Sequence, residues 1–257
     1  MSDLVLYDVD GGIGTITINR PEARNALTFE MYDMIAEICA APSPDGGVKA
    51  LIVTGAGERA FAAGTDISLF RDFHAPEDAR RYEERIERAL TKIEACPVPT
   101  IAAISGACTG GGATIAVACD LRIAAQNAVF GFPVARTLGN CLSLANYARL
   151  VALIGAGRVM DMVLTARLPD AEAAKAIGLI SEILPDHPAL MARARELAAT
   201  VAQHAPLTMQ ATKEALRRLR EGRRDDDDLI TMCYMSEDFR EGLEAFLAKR
   251  KPEWKGR

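Results

Sequence analysis

The stretch Ile104-Ser-Gly-Ala-Cys-Thr-Gly-Gly-Gly-Ala-Thr-Ile-Ala-Val-Ala-Cys-Asp120 decides how this chain of 257 residues is read. The apolar run Thr100 to Ile104 has the character of a strand. Three consecutive glycines, Gly110 to Gly112, then open a run from Ala113 to Ala118 that reads as a buried helix. Glycine lets the backbone adopt positive φ and approach another group closely. A helix N-terminus presents N–H groups without intrahelical acceptors and a partial positive charge. Together these make a preformed site for negative charge, on a ligand or on an oxygen that becomes anionic during a reaction. The same run also suits tight packing of a helix on a strand, so the surroundings have to discriminate.

Upstream, Leu4–Val9 and Gly14–Asn19 predict a hairpin around Asp10-Gly-Gly. Thr28 is placed to cap a helix running to about Cys39. Ala50–Thr54 reads as a short buried strand, Pro76 to Ala95 as a charged helix, and Leu121–Ala124 as another buried strand. Strands alternating with helices predict an α/β core with a mainly parallel sheet. After Pro133 the pattern turns helical: Arg136–Ile154, Ala156–Thr165, Ala171–Ile177, Pro188–Gln203 and Pro206–Arg220. A last helix, Ser236 to Lys249, carries Phe239, Leu243, Phe246 and Leu247 as a stripe that must bury against this subunit or a neighbour.

Half of the residues (49%) are hydrophobic, enough for a core, and 25% are charged, as in an ordinary soluble domain. The net charge of −5 gives no footprint for nucleic acid, despite the basic clusters Lys249–Lys251 and Lys255–Arg257. No apolar run reaches the roughly 20 residues that span a bilayer. Met1-Ser-Asp-Leu4 has no signal-peptide character, so the expected location is cytoplasmic and neither membrane nor nucleic acid is an expected partner. The six cysteines, at 39, 96, 108, 119, 141 and 233, form no Cys-x-x-Cys pair and read as small buried hydrophobes. His74, His187 and His204 lack ligand spacing, so no metal site is expected.

A second glycine turn lies in Thr54-Gly-Ala-Gly-Glu-Arg-Ala-Phe-Ala-Ala-Gly-Thr-Asp-Ile67. Gly55, Gly57 and Ala60 fit a relaxed dinucleotide fingerprint, but another turn comes next where that fingerprint requires a helix, which excludes it. With both turns, with Asn19-Arg-Pro-Glu-Ala-Arg-Asn-Ala-Leu27 and with Glu241–Trp254, the chain resembles the crotonase (enoyl-CoA hydratase/isomerase) superfamily over nearly its whole length. The resemblance implies a spiral of β-β-α units over residues 1–200. It also implies a C-terminal helical oligomerisation region, 201–257, that drives homotrimers, often paired into hexamers. It implies an acyl-CoA thioester as substrate, with coenzyme A entering only as part of it and no further cofactor. Two backbone N–H groups would hold the thioester oxygen as it becomes enolate-like, and these map to Thr65 and Gly111. Thr65 stands where the family has alanine, which leaves a backbone donor in place. Arg24, Ala26, Ala63, Asp66 and Ile67 fall where the family lines its coenzyme A pocket. Lys249 would reach a coenzyme A phosphate on a neighbouring subunit, or is a solvated surface lysine.

The chain also departs from that pattern. The family's hydratases position water with two glutamates, and those positions are here Thr114 and Val134, the latter in Phe132-Pro-Val134. General-base catalysis contributes typically about 10²–10⁴-fold, so a two-glutamate hydration is not expected. A glycine-rich loop of the family is replaced by Leu138-Gly-Asn-Cys-Leu-Ser-Leu144, which predicts a reshaped acyl pocket. Cys141 reads as nucleophile or as pocket lining, with no histidine or lysine adjacent in sequence. Thr114 and Ser143 read as orienters of water or of a substrate carboxylate, Asn140 as a further polar neighbour, and Arg71 and His74 as part of a segment over the acyl group. Asp120 reads as a partner for backbone donors. The function expected is thioester enolate chemistry by a lyase or isomerase: isomerisation, decarboxylation, C–C cleavage or an atypical hydration. The alternative is a non-catalytic acyl-CoA binder. A peptidase-like role for Ser105 has no neighbouring histidine and no nucleophile elbow to support it.

Overall fold

The computed structural model describes residues 3–42 and 47–257. Strands β1 (Val5–Asp10) and β2 (Ile13–Ile18) form the expected antiparallel hairpin, turning at Gly11 and Gly12 with φ of 55° and 80°. Helix α1 (Phe29–Ala40) begins where the Thr28 hydroxyl accepts from the Met31 amide.

The chain then makes three similar turns. Strand β3 (Ala50–Gly55) is succeeded by the short β4 (Ala60–Ala62) and helix α2 (Pro76–Glu94). Strand β5 (Thr100–Ile104) is succeeded by β6 (Ala107–Thr109) and helix α3 (Gly111–Ala118). Strand β7 (Leu121–Ala125) is succeeded by β8 (Val129–Gly131). The first strand of each turn enters one sheet and the second enters another, ordered β4-β6-β8 and parallel throughout. This is a spiral of β-β-α units. Neither β3 nor β5 has an exposed face, which is why they read as continuous apolar runs rather than alternations.

Past β8 come α4 (Leu144–Ile154), α5 (Ala156–Thr165) and α6 (Ala171–Ala176). Strand β9 (Glu182–Leu184) then pairs with β7 and completes the larger sheet, in the order β1-β2-β3-β5-β7-β9. Helices α7 (His187–Val201), α8 (Pro206–Arg220), α9 (Asp227–Tyr234) and α10 (Glu237–Ala248) end the chain. No described helix is long and apolar enough to cross a membrane.

The expected helix Arg136–Ile154 is shorter than its sequence pattern suggests. Pro133–Ala135 form a 3₁₀ turn, 136–143 are irregular, and the helix starts at Leu144. Gly139 sits at φ 71°, and the Ser143 hydroxyl accepts from the Asn146 amide, so a capping residue stops the helix from extending backward.

One core joins α1, α2 and α3 to the sheets through Tyr32, Phe61, Leu90, Ile93, Ile115 and Phe132; a second packs Leu190, Ala194 and Ala198 of α7 on the larger sheet. Full burial of each large aliphatic side chain stabilises the fold by roughly 1.5–3 kcal/mol. Helix α3 is buried over most of its circumference, so its N-terminus is held rigidly.

Candidate active site

The parallel register Ala60↔Ala107 and Ala62↔Cys108 sets the ends of β4 and β6 side by side. Ala63-Gly64-Thr65 continue the chain beyond β4, while Gly110 and the first turn of α3 continue it beyond β6. Glycine is needed where these meet. Gly110 adopts φ 50°, ψ −121°, a conformation that side chains rarely take. A Cβ at Gly112 would strike the Ala62 carbonyl and lie 2.6 Å from the Ala62 Cβ. A Cβ at Gly111 would fall on the Tyr32 hydroxyl, 2.7 Å from the Thr65 Oγ1 and 3.3 Å from the Thr65 amide nitrogen. The backbones of Thr65 and Gly111 are thereby brought together. Among the described residues neither of their N–H groups has an acceptor. Two free donors side by side, one at a helix N-terminus, can receive an anionic oxygen.

Hydroxyl groups back this corner. The Thr65 Oγ1 lies 3.0 Å from the Tyr32 hydroxyl and 3.0 Å from the Tyr82 hydroxyl. Burial pushes both phenols above their usual pKa, so both stay protonated at neutral pH. Tyr82 also packs edge-on to Phe70, ring centroids 5.0 Å apart.

These groups face a cavity of about 380 Å³. Ala63, Thr65 and Gly111 line it, as do Thr114, Val134, Asn140 and Cys141, so both anion-receiving positions and both glutamate positions share one space with the altered loop. Ile67, Phe70, Ile86, Leu138 and Leu142 give it apolar walls. The Thr114 hydroxyl donates to the Gly111 carbonyl at 2.8 Å, which leaves it able to accept but not to donate to a ligand. Val134 offers no polar atom.

Other sequence candidates lie elsewhere. Ser143 is absent from the cavity wall and serves as the cap of α4. Arg71 and His74 are exposed and do not line it. Arg24 is exposed at φ 53°; its carbonyl accepts from the Ala63 amide, which ties it to the turn before Thr65. The Ala26 carbonyl accepts from Arg20 Nη1 at 3.2 Å. Arg20 also binds Asp66 at 2.6 Å and, with Ser68, holds its carboxyl at about 2. Asp66 thus caps the 3₁₀ turn Ile67–Phe70, and a base of that pKa is a weak one. Lys249 is exposed at the C-terminal end of α10 and outside this cavity. Asp120 accepts from the Thr100 amide and hydroxyl and pairs with Lys213 at 2.6 Å. Ser105 is buried and bonded to Asn127 and the Glu58 carbonyl.

A profile of the family described as Enoyl-CoA hydratase/isomerase matches residues 8–257. The chain belongs to the enoyl-CoA hydratase/isomerase family. It is 33% identical to a short-chain-enoyl-CoA hydratase of Clostridium acetobutylicum, over 97% of this chain and 96% of that one. It is 34% identical to the 2,3-dehydroadipyl-CoA hydratase of Escherichia coli, over 94% of both. Among solved structures, an enoyl-CoA hydratase/carnithine racemase of Magnetospirillum magneticum superposes with a TM-score of 0.91 at 33% identity, covering 100% of this chain and 97% of the other. Family membership makes an acyl-CoA enzyme of this chain and accounts for the spiral fold.

One acid in the cavity wall is not among the sequence candidates. Glu83 of α2 lines the space together with Thr65 and Gly111. The sequence does carry a signal for it: Glu83 stands one turn before Ile86, Leu90 and Ile93, so it continues the buried stripe of an otherwise charged helix. Burial, then the charge of Glu87, pushes its carboxyl above the usual range.

Proposed function

We propose that the chain binds an acyl-CoA thioester with its carbonyl oxygen on the Thr65 and Gly111 N–H groups, and that these stabilise an enolate as negative charge reaches that oxygen. The observation that carries this reading is the pair of adjacent amides without acceptors in the wall of one cavity. Donors aimed at a developing oxyanion contribute roughly 3–4 kcal/mol each. In this reading the acyl group lies among Phe70, Ile86, Val134, Leu138 and Leu142, and the coenzyme A portion leaves the cavity past Ala63 and Ile67, toward the turn of Arg24, Ala26 and Asp66, which lies outside the cavity wall. Lys249 meets a coenzyme A phosphate of a neighbouring subunit in a homotrimer or hexamer built through residues 201–257. The reaction is that of a lyase or isomerase, because Thr114 and Val134 put no carboxylate where the family's hydratases are expected to hold water.

Hydration is a second reading, favoured by the hydratase names of the relatives. Binding without catalysis is a third. Crotonyl-CoA turnover, followed by loss of enoyl-thioester absorbance and by product mass, separates them. Little or no hydration, with thioester binding intact and another reaction found on a thioester panel, is the expected result. Rapid hydration overturns the first reading in favour of the second. Binding without turnover of any panel member overturns it in favour of the third.

A further inference from the structure

The acids of α2 are matched to partners with one exception inside the fold. Glu77 pairs with Arg80, and Asp78 accepts from the His74 and Ala75 amides. Glu87 pairs with Arg149, and Glu94 with Arg149 and Arg220. Glu84 is exposed to water. Glu83 alone is half-buried with no cation and no N–H or O–H donor among the described residues. A carboxylate held that way costs stability, because neither water nor a partner fully replaces its hydration. Glu83 instead lines the cavity that holds the free Thr65 and Gly111 amides.

We propose that Glu83 is the acid–base residue of this enzyme, which moves a proton at the carbon next to the thioester carbonyl. The proposal rests on the reading of the chain as a thioester enzyme. In the step, the Glu83 carboxylate takes the α-proton. The C–H electron pair becomes the enolate C=C bond, and the carbonyl pair moves onto the oxygen held by the Thr65 and Gly111 amides. The carboxylic acid then returns the proton, to the same carbon as exchange or to the γ-carbon of an unsaturated chain as a double-bond shift. No oxidant, metal or second substrate is consumed. A carboxyl with a raised pKa is closer in basicity to the proton it moves and serves in both directions. The titratable groups around it are Tyr32 of α1, Tyr82 and Glu87 of α2, and Cys141 of the loop before α4; α3 presents none, and Arg149 of α4 pairs with Glu87, whose charge still raises the Glu83 carboxyl.

The test uses but-3-enoyl-CoA, whose α-protons are activated by both thioester and alkene, incubated with the full chain in D₂O. Deuterium at the α- and γ-carbons is read by mass spectrometry, and thioester binding is measured separately by calorimetry. We expect exchange by the wild type and a loss of about 10²–10⁴-fold in Glu83→Gln, with binding kept. Glu83→Asp should restore part of the rate, with its pH profile shifted. Thermal unfolding gives a readout that a structural role would not: with a raised folded pKa, ionised Glu83 destabilises the fold as pH rises above 4.5. Glu83→Gln should therefore melt higher than the wild type at neutral pH, with no gain below pH 4.5. Undiminished exchange in Glu83→Gln overturns this assignment and leaves the thioester reading standing. A wild type that binds the thioester and exchanges nothing also overturns the Glu83 assignment, whereas a wild type that binds no thioester overturns the reading on which it rests.

Discussion

At the scale of residues, the site depends on where a Cβ is forbidden. Gly111→Ala keeps its N–H but drives a methyl group into the Tyr32 hydroxyl, so turnover should fall at least ~10-fold. Gly111→Pro deletes the N–H as well. Adding Tyr32→Phe should recover part of the activity of Gly111→Ala, because it removes the first atom in the way, and none of that of Gly111→Pro. Steady-state kinetics on the four variants checks this, and equal rescue of both would remove the Gly111 amide from the mechanism. Asp66 supplies a pH signature away from the chemistry. Its carboxyl is held at about 2, chiefly by the Arg20 hydrogen bond, against an ordinary value of 3.8. A depressed folded pKa stabilises the fold above pH 3.8, and the benefit is lost as pH falls toward 2. Asp66→Asn should cost on the order of 1–2 kcal/mol in urea unfolding at pH 7, and the gap should close between about pH 4 and pH 2.

At the scale of elements, an ionic network ties three helices together behind the cavity. Arg149 of α4, 3% exposed, reaches Glu87 at 2.5 Å and Glu94 at 2.8 Å on α2, while Arg220 of α8 reaches Glu94 at 2.5 Å. Burial pushes the Glu94 carboxyl up, but the two arginines outweigh it and hold it below its usual value. Arg149→Ala strands Glu87, leaves Glu94 with Arg220 alone and should cost about 3–5 kcal/mol by urea unfolding; Arg220→Ala should cost less, since both carboxylates keep Arg149. Asn146, one turn from Arg149, lines the cavity, so loosening this network should also disturb turnover. The long elements of this framework were legible from apolar periodicity. The three-residue strands β4, β6 and β8 carry too few residues for a period to show, and their pairing is set by partners distant in sequence. The start of α4 escapes the sequence pattern for a related reason. Residues 136–143 have no helix breaker stronger than Gly139, and the boundary is set by the Ser143 cap.

At the scale of the whole molecule, the C-terminal helices leave apolar surface uncovered: Phe246 is 81% exposed and Leu247 73%. If residues 201–257 assemble the proposed trimer or hexamer, light scattering will give three or six times the 27.6 kDa chain mass, and Phe246→Glu with Leu247→Glu will lower it. A monomeric wild type would refute that assembly. The sequence by itself determined the α/β alternation, the glycine-opened helix, the family, and the threonine and valine where two glutamates would stand. All of these are written in neighbouring residues or in the order of short motifs along the chain. Only the tertiary structure decided that Ser143 is a cap, that Asp66 is tied to Arg20, and that Glu83 shares a wall with Thr65 and Gly111. The reason is physical: a side chain's chemistry depends on what faces it, and what faces Glu83 comes from helices and turns that meet it only when the spiral closes.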